Sequence, residues 1–250
     1  MKYKLIAITK DFLLFSRIPL LFGFLQHGFR FLSNMIGLSK WISKHNKSIP
    51  YNDFYKVSRK YENREKMFQH ISDAEGLASS AIQYLEFGVC TGNSFLWWLK
   101  QNSHPESRFW GFDTFEGLPE KWLFFKKGDM SSDAPQIDDR RGTFVKGLFQ
   151  DTLHRFQREQ LTYATEPGPR KVIHLDADLF SSTVFVLTSL APYLRAGDII
   201  LFDEFNVPNH EYAAWELFVS TYYVDYEVLG AVNNFYQVAI KYKGMAKFNF

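Results

Sequence analysis

The chain has 250 residues, of which 46% are hydrophobic and 18% aromatic, with a net charge of +2. That length permits one α/β domain with a large core and an extension, and the small net charge argues against a dedicated nucleic-acid binder. The single cysteine, Cys90, excludes an intrachain disulfide and a cysteine-rich zinc site; a packed thiol in a reducing, cytoplasmic setting fits it.

Charge is uneven along the chain. Residues 1–50 hold eight Lys/Arg against one acidic residue, a net +7, and the remainder is −5. The apolar stretch 12–38 is interrupted by Arg17, Pro19, Gln26, His27 and Arg30, so it lacks the charge-free run of about 18 residues a spanning helix needs. Asp11 and Arg17 bracket its start and no small-residue cleavage site follows, which disfavours a signal peptide. Leu21, Leu25, Phe29, Leu32 and Ile36 recur at helical spacing as one apolar stripe. Such a stripe packs on its own domain or on a second subunit, giving a homo-oligomer; the positive charge equally suits peripheral contact with an anionic inner-membrane surface. The sequence leaves these open. Residues 48–52, with Pro50, read as the junction between a helical extension (1–50) and the main domain (51–250).

A polar helix is expected over 61–81, with Met67, His70, Ile71 and Leu77 turned inward. Strands are expected at 84–88, 108–113, 143–147, 171–176 and 198–203, and helices at 93–101, 151–158, 181–194 and 209–222. That alternation implies a parallel sheet with helices on both faces. Residues 226–230 and 235–240 flank Asn233-Asn234, which predicts a closing antiparallel hairpin. The charged, Gly- and Pro-containing stretch 119–142 is long for a connection and reads as a lid over an acceptor.

Two local patterns carry chemistry. The strand at 84–88 runs into a glycine turn, Gly88-Val89-Cys90-Thr91-Gly92, and then a helix beginning Asn93-Ser94. Glycines let backbone approach a ligand, and the helix start points unpaired N–H groups at it. Twenty-one residues past Gly92, the next strand ends in Asp113, placed to accept hydrogen bonds from a ribose diol. The turn lacks the Gly-x-Gly-x-x-Gly arrangement of a nicotinamide dehydrogenase. Further on, two strands end in Asp176-Ala177-Asp178 and Asp203-Glu204. Adjacent strands lie about 4.8 Å apart, and carboxylates so crowded need a proton or a cation. Oxygen donors point to Mg²⁺ or Ca²⁺; the alternative is helix capping, the reading preferred for Asp178. His174 reads as a satisfied core histidine or as a partner of the acidic site.

Five blocks together resemble the macrocin/mycinamicin type of sugar O-methyltransferase, a branch of the class I S-adenosylmethionine-dependent methyltransferases. They are Leu85-Glu86-Phe87-Gly88-Val89 with Gly92 and Ser94; Gly111-Phe112-Asp113-Thr114-Phe115-Glu116-Gly117-Leu118-Pro119; Lys146-Gly147-Leu148-Phe149 with Asp151-Thr152-Leu153; His174 through Thr183; and Ala196 through Phe205. The resemblance covers residues 60–242 and implies a Rossmann-like fold, a seven-stranded, mostly parallel sheet with a C-terminal antiparallel hairpin. It implies that Glu86, Phe87 and Gly88 line the methionine end of S-adenosylmethionine, that Asp113 holds the ribose, and that Thr114 and Phe115 lie near the adenosine. Gly92, Asn93, Ser94, Gly147, Phe149 and Asp176 complete the implied cofactor contacts. Asp176, Asp203 and Glu204 would bind Mg²⁺, with Asp176 also the catalytic base, and the acceptor would be a hydroxyl of a sugar or glycoside. Two positions depart from the family pattern: Glu204-Phe205 stands where Asp-Tyr is usual, and Phe180 where tyrosine is usual. The longer Glu204 arm moves any bound ion or acceptor, and the Phe180 site loses a hydroxyl. A metal-independent methyltransferase using Asp176 directly and a degenerate, membrane-associated scaffold are the competing readings.

Overall fold

The computed structural model describes residues 2–246; the last four residues of the expected main domain lie outside this range. In chain order the elements are α1 (Lys2–Ser16), a 3₁₀ segment (Ile18–Leu25), α2 (Gln26–His45), β1 (Tyr51–Asn52), α3 (Glu62–Ala74), β2 (Ile82–Phe87) and α4 (Asn93–Gln101). They continue with β3 (Arg108–Asp113), β4 (Gly142–Lys146), α5 (Phe149–Gln160), β5 (Arg170–Leu175), α6 (Phe180–Leu190), β6 (Ile199–Phe202), α7 (Glu211–Tyr222), β7 (Val224–Val232) and β8 (Gln237–Met245).

The strands form one sheet in the order β1-β7-β8-β6-β5-β2-β3-β4. Every pairing from β6 through β4 is parallel, and β8 runs antiparallel to both β6 and β7. This is the expected α/β sheet with its reversed terminal hairpin, but it has eight strands rather than seven. The additional strand is β1, which pairs in parallel with β7 through Tyr51 and Asn52. Two residues are too few to show a period of two, so the segment resembles a linker in sequence. The five parallel strands begin and end within two residues of expectation. Helix α3 instead stops at Ala74, where the chain turns and Leu77 N–H bonds back to the Ser72 carbonyl at 2.8 Å.

Strand side chains alternate across the sheet, and the two faces carry separate cores. Leu85, Phe87, Phe112, Ile173, Leu175, Ile200 and Phe202 pack on one face with Trp215 and Phe218 of α7. Ile82, Tyr84, Phe109, Val172, Ile199 and Leu201 pack on the other with Met67, Phe68 and Ile71 of α3 and Trp98 of α4. Strand order reverses between β2 and β5, opening a crevice beyond their carboxyl ends, the general ligand position in such sheets.

The extension joins the domain through α2 from Asn34 onward. Leu38 and Trp41 of α2 are buried, and Trp41 Nε1 donates to Tyr226 Oη at 2.8 Å. The apolar stripe does not pack on its own domain: Leu21 is 72% exposed and Phe29 63%, and Leu25, Leu32 and Ile36 are exposed too. Among the described residues no helix is long and apolar enough to cross a membrane.

Candidate active site

The glycine turn is held from within. Asp113 Oδ2 accepts the N–H groups of Val89 and Cys90, each at 2.8 Å, and Oδ1 accepts that of Phe115 at 2.7 Å. A carboxylate at the end of β3 thus fixes the loop following β2, while its remaining lone pairs stay available to a ligand. Gly88 has φ +94°, and a Cβ there would lie 1.8 Å from the Asp176 carbonyl oxygen, so only glycine lets β2 and β5 close together at this point. Gly92, at φ +79°, is the N-cap of α4, with Pro135 packed over it. Cys90 is exposed and borders the cavity rather than being a packed thiol, because this turn lifts it out of the core.

A cavity of about 800 Å³ lies beyond these strand ends. Of the expected cofactor residues, Glu86, Gly88, Asn93, Ser94, Asp113, Thr114, Phe149 and Asp176 line it. Four others do not: Gly92, which sits under Pro135 as the N-cap of α4, and Phe87, Phe115 and Gly147. Phe87 alternates away from Glu86 and is wholly buried, stacked on Phe112 at 4.8 Å. Phe115 turns its ring to Phe144, 5.9 Å away. Gly147 supports the site at one remove, its N–H bonding to the Asp113 carbonyl at 3.0 Å. The long connection after β3 forms a cavity wall through Leu118, Trp122, Phe125 and Met130, with Leu118 and Trp122 packed on Leu179.

The opposite wall is acidic. Asp176 and Asp203 leave β5 and β6 side by side, the Asp203 N–H bonding to the Leu175 carbonyl at 3.0 Å. Between them comes Arg64 of α3, 1% exposed, its Nη1 3.0 Å from Asp203 Oδ1 and 3.7 Å from Asp176 Oδ2. Its guanidinium also lies 4.0 Å from the Tyr61 ring centre. Burial opposes the Arg64 charge, but Asp203 and Asp176 outweigh it and hold the group protonated beyond its usual range. Sequence reasoning missed Arg64, since a lone arginine in a polar helix carries no signal of burial.

One guanidinium does not balance this cluster. Burial, then the Asp203 charge, raises Asp176 well above the usual carboxylate range. Burial, then Asp176 and Glu211, does the same to Glu204, and burial then Asp203 to Glu211. Burial pushes Asp178 up to about 7 against a hydrogen bond with Glu204. Asp178 does not cap α6, whose N-cap is Leu179 without a side-chain bond; it faces the acidic cluster instead. Tyr236 Oη donates to Glu204 Oε1 at 3.2 Å, the Glu204 N–H is taken by Glu211 Oε2 at 2.9 Å, and Glu204 Oε2 is buried without a partner.

Behind the cluster, His174 is fully buried, with Nδ1 3.0 Å from Tyr84 Oη. Tyr84 in turn donates to Glu86. His174 is therefore a core histidine linked through Tyr84 to Glu86, with its Nε2 unpartnered, and it stands beside Asp176 and Asp203. The expected metal trio is divided between two groupings of oxygen and nitrogen donors within 4.8 Å: Asp176, Asp178 and Glu204 in one, His174, Asp176 and Asp203 in the other. Because Asp203 is engaged by Arg64, the first grouping carries the unbalanced charge. Three oxygen donors with an unpartnered Glu204 Oε2 suit a hard divalent cation such as Mg²⁺.

Residues 85–205 match the sequence model of a family described as "Methyltransferase domain". A curated protein of Streptomyces olivaceus, 8-demethyl-8-(2,3-dimethoxy-alpha-L-rhamnosyl)-tetracenomycin-C 4'-O-methyltransferase, is 27% identical over 157 residues; the aligned region is 54% of this chain and only 56% of that protein. The fold is similar to that of CalS11, a calicheamicin methyltransferase, with a TM-score of 0.55 and 19% identity over 72% of this chain and 77% of the other. It is also similar to the O-methyltransferase NovP, with a TM-score of 0.51 and 16% identity over 74% and 79%.

Proposed function

We propose that the protein is an S-adenosylmethionine-dependent O-methyltransferase acting on a hydroxyl of a sugar or glycoside, a reading supported by the match of residues 85–205 to a methyltransferase-domain family. The observation that carries this is a single cavity with an Asp113-braced glycine turn on one side and the Asp176–Glu204 carboxylates on the other. The rhamnosyl 4'-O-methyl specificity named for the Streptomyces olivaceus relative supports a sugar acceptor.

When bound, S-adenosylmethionine supplies a methyl group on a positively charged sulfur. Asp113 and Thr114 would receive the ribose side, and Glu86 with the start of α4 the methionine side. Asp176, 27% exposed, would accept the acceptor hydroxyl's proton. The raised proton affinity of its surroundings suits a base. The aromatic wall of Trp122 and Phe125, stacked at 5.5 Å, offers an apolar face to a sugar ring. Asp176, Asp178 and Glu204 would hold Mg²⁺, whose charge would fix a hydroxyl and make it more acidic.

Arg64 favours one second reading. It already neutralises Asp203 and approaches Asp176, so a metal-independent reaction with Asp176 as base is chemically complete. Labelled-methyl transfer over a panel of nucleotide sugars and glycosides, with Mg²⁺ or with EDTA, separates the two. Asp176→Asn is expected to abolish transfer while calorimetric binding of S-adenosylmethionine persists; loss of both would defeat the assigned role. A rate unchanged by EDTA selects the metal-independent reading.

A further inference from the structure

The apolar residues of the N-terminal extension are not covered by the domain. In the 3₁₀ segment Leu20 is 73% exposed, Phe22 56% and Phe24 80%. In α1, Leu5, Ile6, Ile8, Phe12, Leu14 and Phe15 are likewise open, and no residue of either element is buried. We propose that residues 2–36 form an interfacial anchor that docks the enzyme on an anionic lipid bilayer.

Two features select a bilayer over a second copy of the chain. First, the exposed apolar residues surround these elements rather than following one stripe: Leu20, Leu21, Phe22, Phe24 and Leu25 are consecutive apart from Gly23. A protein partner covers one side of a helix, whereas the fluid headgroup and acyl boundary adapts to apolar side chains over a wider arc of a shallowly inserted segment. Second, Lys2, Lys4, Lys10, Arg17 and Arg30 accompany them against Asp11 alone. Two such faces would repel across a dimer interface, while anionic headgroups complement them.

Insertion is shallow. The 15 residues of α1 span about 22 Å at the α-helical rise, short of the ~30 Å hydrocarbon core, and no described helix meets the requirements for crossing.

The anchor is tied close to the cavity. Asn34 Nδ2 donates to Asn209 Oδ1 at 2.9 Å. The neighbouring His210 has its pKa lowered by burial and by the Arg30 charge, and raised by Glu120. Glu120 borders the cavity and accepts the Ser181 hydroxyl at 2.8 Å. Docking therefore brings the Glu120 wall near the bilayer.

The test is flotation of the full chain with vesicles of phosphatidylcholine containing 30% phosphatidylglycerol, against pure phosphatidylcholine, with light scattering in solution. Binding is expected to be about tenfold or more stronger on the anionic vesicles and to weaken with salt. The double variant Leu21→Asp/Phe24→Asp should abolish flotation with unchanged circular dichroism and melting temperature, since both side chains are solvent-exposed. Failure of the wild type to float, or flotation retained by that variant, overturns the proposal. A dimer that the same variant dissociates, without vesicle binding, assigns the surface to a second copy instead. None of these readouts depends on methyl transfer, so this proposal and the proposed activity fail separately.

Discussion

Replacing Arg64 by methionine tests the charge balance of the site most directly. The side chain is 1% exposed, and its Nη1 lies 3.0 Å from Asp203 and 3.7 Å from Asp176. Methionine keeps much of the volume, so packing loss is small and the main effect is that buried Asp203 and part-buried Asp176 are left without a cation. Breaking a buried pair in this way costs about 3–5 kcal/mol. In a chain of this length each kcal/mol moves the melting temperature by about 2–4 °C, giving an expected fall of about 6–20 °C at pH 8. The deficit should shrink at pH 5.5, where protonation of Asp176 removes part of the uncompensated charge. Thermal unfolding followed by circular dichroism, for wild type and variant at both values, measures it. A variant melting within about 2 °C of wild type at pH 8 would falsify the charge-balance account, as would an equal deficit at both pH values.

Wild-type stability should fall as pH rises from 6.5 to 8.5 in the absence of divalent ions. Asp176, Asp178, Glu204 and Glu211 have folded-state values raised above their unfolded ones, about 7 for Asp178. Their contribution is full below the unfolded values near 4 and is lost as pH climbs through the folded values. His45 and His210, lowered from 6.5, act oppositely but below this window. Millimolar Mg²⁺ should restore the melting temperature at pH 8.5; a flat or rising pH profile contradicts the charge deficit. Asp113→Ala removes the acceptor of three backbone N–H groups and should weaken S-adenosylmethionine binding at least about tenfold by calorimetry; an unchanged Kd would exclude Asp113 from the cofactor site. Gly88→Ala would place a Cβ 1.8 Å from the Asp176 carbonyl oxygen at φ +94°, and should cost about 3 kcal/mol or more, read as a lowered urea midpoint. A midpoint equal to wild type would show that β2 and β5 do not close as described.

Much of the site was legible because its signals are local. The apolar run ending at Phe87, the glycine turn and the helix start at Asn93 are consecutive, and Asp113 and Asp176 each close an apolar strand. Strand ends and turns obey short-range rules of backbone geometry, so alternation along the chain was enough to infer the parallel sheet and its reversed hairpin. What misled was the assumption that neighbours in sequence share a destination. Phe87 and Phe115 adjoin cavity residues, yet alternation across the pleat sends the first into the core and a left-handed backbone turns the second to Phe144.

The tertiary structure alone decided how the acidic site is balanced. Arg64 meets Asp203 across 139 residues of sequence, brought there by α3 packing on the sheet, and it divides the expected metal trio. Burial then turns proximity into chemistry: the same carboxylates in water would ionise freely, but around one guanidinium they must share protons or hold a cation. The fate of the N-terminal stripe was decided the same way. Its spacing establishes that it has an apolar face; only the folded chain shows that its own domain leaves that face exposed. Periodicity describes an element by itself, whereas charge balance and exposure depend on what the rest of the chain places beside it.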